Sequence, residues 1–292
     1  MIMIKVSVIV PNYNHHKFLH ARLDSILKQT YQNFEIIILD DCSTDQSRDV
    51  IEQYRHHPKV SHIIYNTKNS GSTFIQWNTG IDYAQGEYIW IAESDDIAAT
   101  DFLEKLISPL EHEYNVVLAY SQSNRMNEVG EITGTWLDWT NSIDFKNLFQ
   151  NDFCILGSAY IQKFLIFKNT IPNASAVLFR KTAYLATGGA NSKLFTNGDW
   201  LLWLKLLTQG QIFYTSECLN NFRYHSNSVI AQAHKSLDKA EIRKRNVFLR
   251  QDLAAFLIKE NLKLYRLNQI FLIKDTIRFY IANISSVLKK KS

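Results

Sequence analysis

The stretch Phe34-Glu35-Ile36-Ile37-Ile38-Leu39-Asp40-Asp41-Cys42-Ser43-Thr44-Asp45 decides the fold. Ile36–Leu39 is apolar at every position, so no alternation marks a wet face. A strand of that kind is buried on both sides, as in parallel sheets covered by helices. It ends abruptly in acids and small polar residues, the composition of a turn. Upstream, Phe18–Lys28 has helical spacing in Leu19, Leu23, Ile26 and Leu27, and Lys5–Val10 is a β-branched run. Downstream, Asp45–Tyr54 reads as a helix with Ser43 or Thr44 as its cap. Val60–Tyr65 reads as a strand, Ser72–Ala84 as a helix and Tyr88–Ile91 as a strand. This alternation predicts an α/β fold, a mostly parallel central sheet with helices on both faces.

Beyond that half, a helix near Asp101–Glu113, a strand at Val116–Ser121, a strand at Ala176–Phe179 and a helix at Asp199–Leu207 are expected. Residues 122–170 carry Trp136, Trp139, Phe145, Phe149 and Phe153 without clean periodicity and read as an insertion with short helices. From Leu237 onward the chain reads as helix. The expected division is a body over 1–234, with halves 1–121 and 122–234, and a helical extension over 235–292.

Composition narrows the class. The 292 residues are 46% hydrophobic and 21% charged, with ten glycines and four prolines, enough for a sizeable core and unlike a disordered or collagen-like chain. Cys42, Cys154 and Cys218 show no CxxC or Cys/His spacing, so reduced thiols in a cytoplasmic compartment are expected, not a zinc site. The start lacks a basic leader and a cleavage site, and no apolar run of about eighteen residues occurs, so neither a signal peptide nor a membrane span is expected. Residues 235–292 hold 14 Lys/Arg against 5 Asp/Glu (+9), leaving 18 against 23 (−5) for residues 1–234. The acidic body argues against nucleic-acid binding. The basic tail points to an anionic surface.

In open α/β sheets ligands lie beyond the carboxyl ends of the strands. Those ends here are Pro11-Asn12-Tyr13-Asn14, Asp40-Asp41-Cys42-Ser43-Thr44-Asp45, Asn66 through Asn69-Ser70-Gly71, and Glu93-Ser94-Asp95-Asp96. Crowded carboxylates repel unless a cation or donor-rich ligand offsets them. Mg²⁺ and Mn²⁺ are commonly held by one or two carboxylates plus substrate phosphates. No GxGxxG follows the first strand and no GxxxxGK[ST] occurs, so metal bridging is the expected grip on a diphosphate.

Four segments in order resemble the family 2 glycosyltransferases: Val6-Ser7-Val8-Ile9-Val10-Pro11-Asn12-Tyr13-Asn14; Asp41-Cys42-Ser43-Thr44-Asp45, matching D-x-S-x-D; Asn69-Ser70-Gly71 with Asn78-Thr79-Gly80; and Gly86 through Asp96, leading into a DxD-type motif. The resemblance implies the GT-A fold and an inverting transfer of a sugar from a UDP- or dTDP-sugar, with Mn²⁺ or Mg²⁺. It places Pro11 and Tyr13 against the base, Asp41 as acceptor of a base N–H, Asn69 with the donor, Asp95 near the ribose and diphosphate, and Asp96 on the metal. Glu93 fills the first place of the triplet, where Asp is common, and reaches the metal directly or through water. Asn197-Gly198-Asp199-Trp200 resembles the catalytic-base segment, with Gly-Asp where Glu-Asp is common, so Asp199 is the expected base. Phe222-Arg223-Tyr224-His225-Ser226-Asn227-Ser228 resembles a Tyr-Arg-x-His segment whose His225 could touch diphosphate or metal.

Structural readings stand beside these. Asp40 and Asp41 suit a turn, Asp95-Asp96 and Asp199 suit helix caps, Tyr13 and the Trp136–Phe153 aromatics suit plain packing, and His225 suits a structural role. Ile270, Ile273, Ile277, Ile281, Ile284 and Leu288 recur at helical spacing, with Lys274, Arg278 and Lys289–Lys291 nearby. That helix packs on the body or on a second subunit, giving a homodimer, or lies peripherally on the inner face of a membrane. Family analogy implies a bacterial surface glycan or lipid-linked glycan as acceptor. The competing class is a non-catalytic nucleotide-sugar binding module or inactive partner subunit. A nucleotidyltransferase is disfavoured, because no Gly-rich, Lys/Arg-bearing loop follows the first strand.

Overall fold

The computed structural model describes residues 4–144, 146–194, 196–226, 228 and 238–289. Phe145, Asn227, Lys290, Lys291 and the expected boundary at 234/235 lie outside the described residues. The alternating half runs β1 (Val6–Asn12), α1 (His16–Leu27), β2 (Phe34–Asp40), α2 (Ser47–Gln53), β3 (Val60–Tyr65), α3 (Thr73–Tyr83) and β4 (Tyr88–Ile91). β1 pairs in parallel with β2 and β4, and β2 with β3. Then follow β5 (Ile97–Ala98), α4 (Phe102–His112), β6 (Val116–Met126), β7 (Ile132–Thr135), α5 (Leu137–Asn141), β8 (Phe153–Leu156), α6 (Gly157–Tyr160), β9 (Val177–Arg180), α7 (Lys181–Ala186), α8 (Gly198–Leu206) and β10 (Gln211–Arg223). The strand order is β3-β2-β1-β4-β9-β6-β10-β5. β9 runs antiparallel between β4 and β6, so the sheet is parallel in its first four strands and mixed beyond them.

The period-two rule explains the unbroken apolar run in β2. Val6, Val8, Val10, Ile36 and Ile38 pack with Leu19 and Leu23 of α1 and Leu106 and Leu110 of α4. Ile9, Ile37 and Leu39 pack on the other face with Trp77 and Ile81 of α3 and Leu201 and Leu202 of α8. Each such side chain contributes about 1.5–3 kcal/mol by leaving water. Glu35 interrupts the run and is buried, but it accepts from Ser7 Oγ (2.6 Å) and the Gln85 amide (2.7 Å). A Cβ on Gly80 would lie 2.4 Å from Ile9 Cγ2, so α3 rests directly on β1.

Two local features differ from the sequence reading. Ser43 and Thr44 do not cap α2, which starts at Ser47 with Asp45 Oδ1 accepting from the Ser47 amide (2.9 Å). Ser43 Oγ instead accepts from the Asn14 amide (2.9 Å), and the Thr44 amide donates to Asn14 Oδ1 (2.7 Å), tying the β1 and β2 ends together. No strand is expected from the sequence where the long β10 runs. Register shifts between Thr215, Cys218 and Asn220 break its alternation, which hides the strand from a periodicity search.

The extension is two helices, α9 (Lys239–Glu260) and α10 (Leu262–Lys289). Asn261 separates them, its Oδ1 accepting from the Leu264 amide (3.0 Å). Leu249, Leu253, Leu257 and Leu264 join the core that holds α8. Arg250 is buried, donates to the Ile166 carbonyl (2.8 Å), and lies over Trp200 (5.0 Å) and Phe271 (5.1 Å). One face of the extension is therefore continuous with the body.

Candidate active site

The parallel strands deliver four polar loops to one edge, and α3 stitches two of them. Gln76 of α3 donates to Asp41 Oδ1 (3.0 Å), while its neighbour Trp77 donates through Nε1 to Glu93 Oε1 (2.8 Å). Asp41 also accepts from Asn66 Nδ2 (2.7 Å), the Ser70 amide (2.9 Å) and Ser70 Oγ (2.7 Å). A carboxylate has about four acceptor sites, so protein donors already fill it. Its role as found is to fix the loop carrying Asn69, whose Nδ2 donates to the Asp41 carbonyl (3.1 Å). Cys42 holds φ +62°, a strained value for a side-chain-bearing residue, and turns the chain between Asp41 and Ser43. Pro11 is buried within β1, and Tyr13 stands 46% exposed at the strand end beside Asn14 at φ +58°.

The acids after β4 separate by environment. Asp95 Oδ2 lies 3.1 Å from His225 Nε2, and ligand atoms of His15, Asp95 and His225 all lie within 4.8 Å of one another. His15 Nδ1 lies 2.8 Å from Ser94 Oγ, a contact that orients the ring. Burial first, and His225 nearby, push the His15 pKa down, so the ring is neutral at pH 7 and keeps a lone pair.

The two acids expected on the metal are not part of this cluster. Asp96 is 2% exposed and accepts from the Arg223 amide (2.8 Å) and Asn220 Nδ2 (3.5 Å), so it braces β10. Burial, then Asp95, push its pKa up to about 7. Glu93 accepts from Trp77 and Thr73, and its amide donates to Ser175 Oγ (3.1 Å). Burial, then Asp95, push its carboxyl up to about 8. Behind the acids sits Arg22, fully buried, stacked over Trp90 at 4.9 Å, its nitrogens without hydrogen-bond partners among the described residues. Burial lowers its pKa to about 10, and Asp96, Asp95 and Glu93 oppose that shift. Arg22 is a counter-charge below the site and not a plug in it. Arg223 likewise spends its guanidinium on the carbonyls of Asp95, Asn127 and Glu128.

Asp199 opens α8 behind Asn197, which takes φ +63° at the cap position. Its Oδ2 accepts from Asn169 Nδ2 (2.9 Å), and burial pushes its pKa up to about 6. A carboxylate of that pKa, partly open to solvent, suits a general base near neutral pH. A Cβ on Gly198 would lie 2.5 Å from the Phe74 ring, so the close approach of Phe74 leaves no room for a side chain there. The aromatic insertion lies against the same corner. Trp139 Nε1 donates to the Asn169 carbonyl (2.7 Å), and Lys168 Nζ sits 3.4 Å above the Trp139 ring.

Sequence reasoning missed His15, Arg22, Asn169 and the bracing role of Asp96. His15 and Arg22 face the site from the loop before α1 and from α1 itself, a helix whose sequence signal is its hydrophobic spacing. A histidine one residue past the first motif was the available signal.

Comparison with known proteins supplies the remaining observation. The family model described as glycosyl transferase family 2 matches residues 7–170. A Bacillus subtilis protein named as the teichuronic acid biosynthesis glycosyltransferase TuaG is 27% identical over 235 residues, 80% of this chain and 84% of that protein. For other curated relatives the matched stretch spans as little as 17% of their length. Among solved structures, Staphylococcus aureus TarS 1–349 in complex with UDP-GlcNAc matches 94% of this chain and 72% of its own, at TM-score 0.70 and 19% identity. The mannosyltransferase PcManGT from Pyrobaculum calidifontis, in complex with GDP-Man and Mn²⁺, matches 99% and 75%, at TM-score 0.62 and 16% identity. At these identities the structures speak to the fold, which is GT-A.

Proposed function

The chain belongs to glycosyl transferase family 2, and from that premise we propose that it transfers a sugar, with inversion, from a UDP- or dTDP-sugar to an acceptor hydroxyl. The observation that carries this reading is the convergence of His15, Asp95 and His225 at the carboxyl edge of the parallel strands. One carboxylate and two imidazoles fit a divalent ion that keeps open positions for phosphate oxygens. Imidazole suits Mn²⁺ better than Mg²⁺, which prefers oxygen, so Mn²⁺ is the favoured cofactor. A divalent ion there would offset the charge growing on the leaving nucleoside diphosphate.

The chain's own groups do the rest. Tyr13 stacks on the base above Pro11, and Asn69 borders the donor. Asp41 accepts the base N–H in place of the Gln76 amide. Asp199 takes the acceptor proton as its oxygen attacks the anomeric carbon from the face opposite the diphosphate, which inverts the centre. The names of TuaG and of TarS, a poly(ribitol-phosphate) β-N-acetylglucosaminyltransferase, support a bacterial surface glycan or lipid-linked glycan as acceptor.

The test is a thermal-shift screen of UDP, UDP-GlcNAc and dTDP with and without Mn²⁺, followed by UDP release on the best donor. Asp95→Asn with His225→Ala should remove the Mn²⁺-dependent part of the shift. Its persistence in that double variant would refute the site. Donor binding with no slow hydrolysis and no transfer would favour the non-catalytic module.

A further inference from the structure

Helix α10 has two apolar faces, and among the described residues only one meets the body. Leu264 is in the core, Asn268 Nδ2 donates to the Arg250 carbonyl (2.8 Å), and Asp275 pairs with Arg250 (3.4 Å). On another face Leu262, Ile270, Ile273, Ile277 and Tyr280 are 50–61% exposed. At 3.6 residues per turn these five fall within an arc of about 80°, roughly opposite the docked face. Arg266 is exposed within that arc, Lys263 and Lys274 are exposed beside it, and Arg278 lies further round, paired with Asp275. The one carboxylate between positions 262 and 281, Asp275, is buried and engaged with Arg250 and Arg278.

A helix face of exposed isoleucines framed by long cations has the composition of an interfacial helix. The apolar groups enter the acyl boundary, and the ammonium and guanidinium heads stay among the phosphates. A second copy fits worse. Two such faces meeting would set Lys263, Arg266 and Lys274 of one copy against those of the other, and the face itself carries no carboxylate to pair them. Among the described residues no helix is long and apolar enough to cross a membrane, so the helix would lie on the surface. We propose that the Leu262–Tyr280 face of α10 docks the protein peripherally on an anionic lipid surface.

The full chain is tested by co-sedimentation with phosphatidylcholine vesicles and with vesicles containing about 30% phosphatidylglycerol, at low and high salt. Binding should be at least about tenfold tighter on the anionic vesicles and should weaken with salt. Ile273→Asn with Ile277→Asn should lower it by about tenfold or more, with unchanged melting temperature. Lys263→Gln with Lys274→Gln, at exposed positions that cannot disturb the core, should do the same. Equal binding to neutral and anionic vesicles overturns the proposal. So does no binding to either, or a dimer that the isoleucine variant dissociates while vesicles stay bare. None of these readouts uses donor or metal, so this proposal and the enzymatic one fail separately.

Discussion

Asp199→Asn should make the free protein more stable while ending transfer. Burial holds the Asp199 carboxyl at about 6 instead of 3.8. About two units at about 1.4 kcal/mol each set a ceiling of about 3 kcal/mol on the cost of its charge. The side chain is partly open to solvent, and screening cuts that to about 1 kcal/mol. An Asn keeps an oxygen for Asn169 Nδ2 and carries no charge, so it recovers that amount, about 2–4 °C in melting temperature. The sign follows from proton binding. A carboxyl with a raised folded pKa binds its proton more tightly in the native state, so its charge destabilises fully above pH 6. The cost fades as pH falls from about 6 toward 3.8. The Asn variant should therefore melt higher at pH 8 and level with the parent near pH 4. Turnover, measured as UDP release, should drop by about 10²–10⁴. In the parent it should fall toward about a tenth at pH 5, one unit below the base. A plain first-turn acid would behave in the opposite way, losing about 0.3–1 kcal/mol when neutralised. A lower melting temperature at pH 8, or retained turnover, would refute the assignment of Asp199 as base.

Other predictions separate the acids and the packing. Asp96→Asn should retain Mn²⁺-dependent donor binding within about threefold, because Asp96 faces β10; calorimetric titration checks it, and loss of metal binding would restore Asp96 as a ligand. His15→Phe should weaken Mn²⁺ binding by about 10–100-fold if the imidazole is a ligand, and by little if it only packs on Phe18. Gly198→Ala should cost about 1–3 kcal/mol through its clash with Phe74, and Phe74→Leu should return part of it in denaturant melts.

The legible part of the sequence was the part in which one residue decides one thing. Ile36–Leu39 named a strand buried on both faces, and both faces are indeed packed. Asp45, Asn69 and Asp95 marked loop ends that topology then brought to one edge. The illegible part depends on which way neighbouring acids point. Asp95 and Asp96 are adjacent and chemically identical, yet one meets two imidazoles and the other a backbone amide of β10. Sequence spacing carries no information on that choice, because it is made by a strand whose bulges erase its own pattern and which ends more than a hundred residues later. The same strand fixes the charge balance. By giving Asp96 the Arg223 amide, and by leaving Arg22 beneath the acids, the fold offsets the negative charge from its buried side, while Asp95 turns to His225. Crowded carboxylates in a sequence thus do not say which of them takes which partner, and the division between them comes from packing.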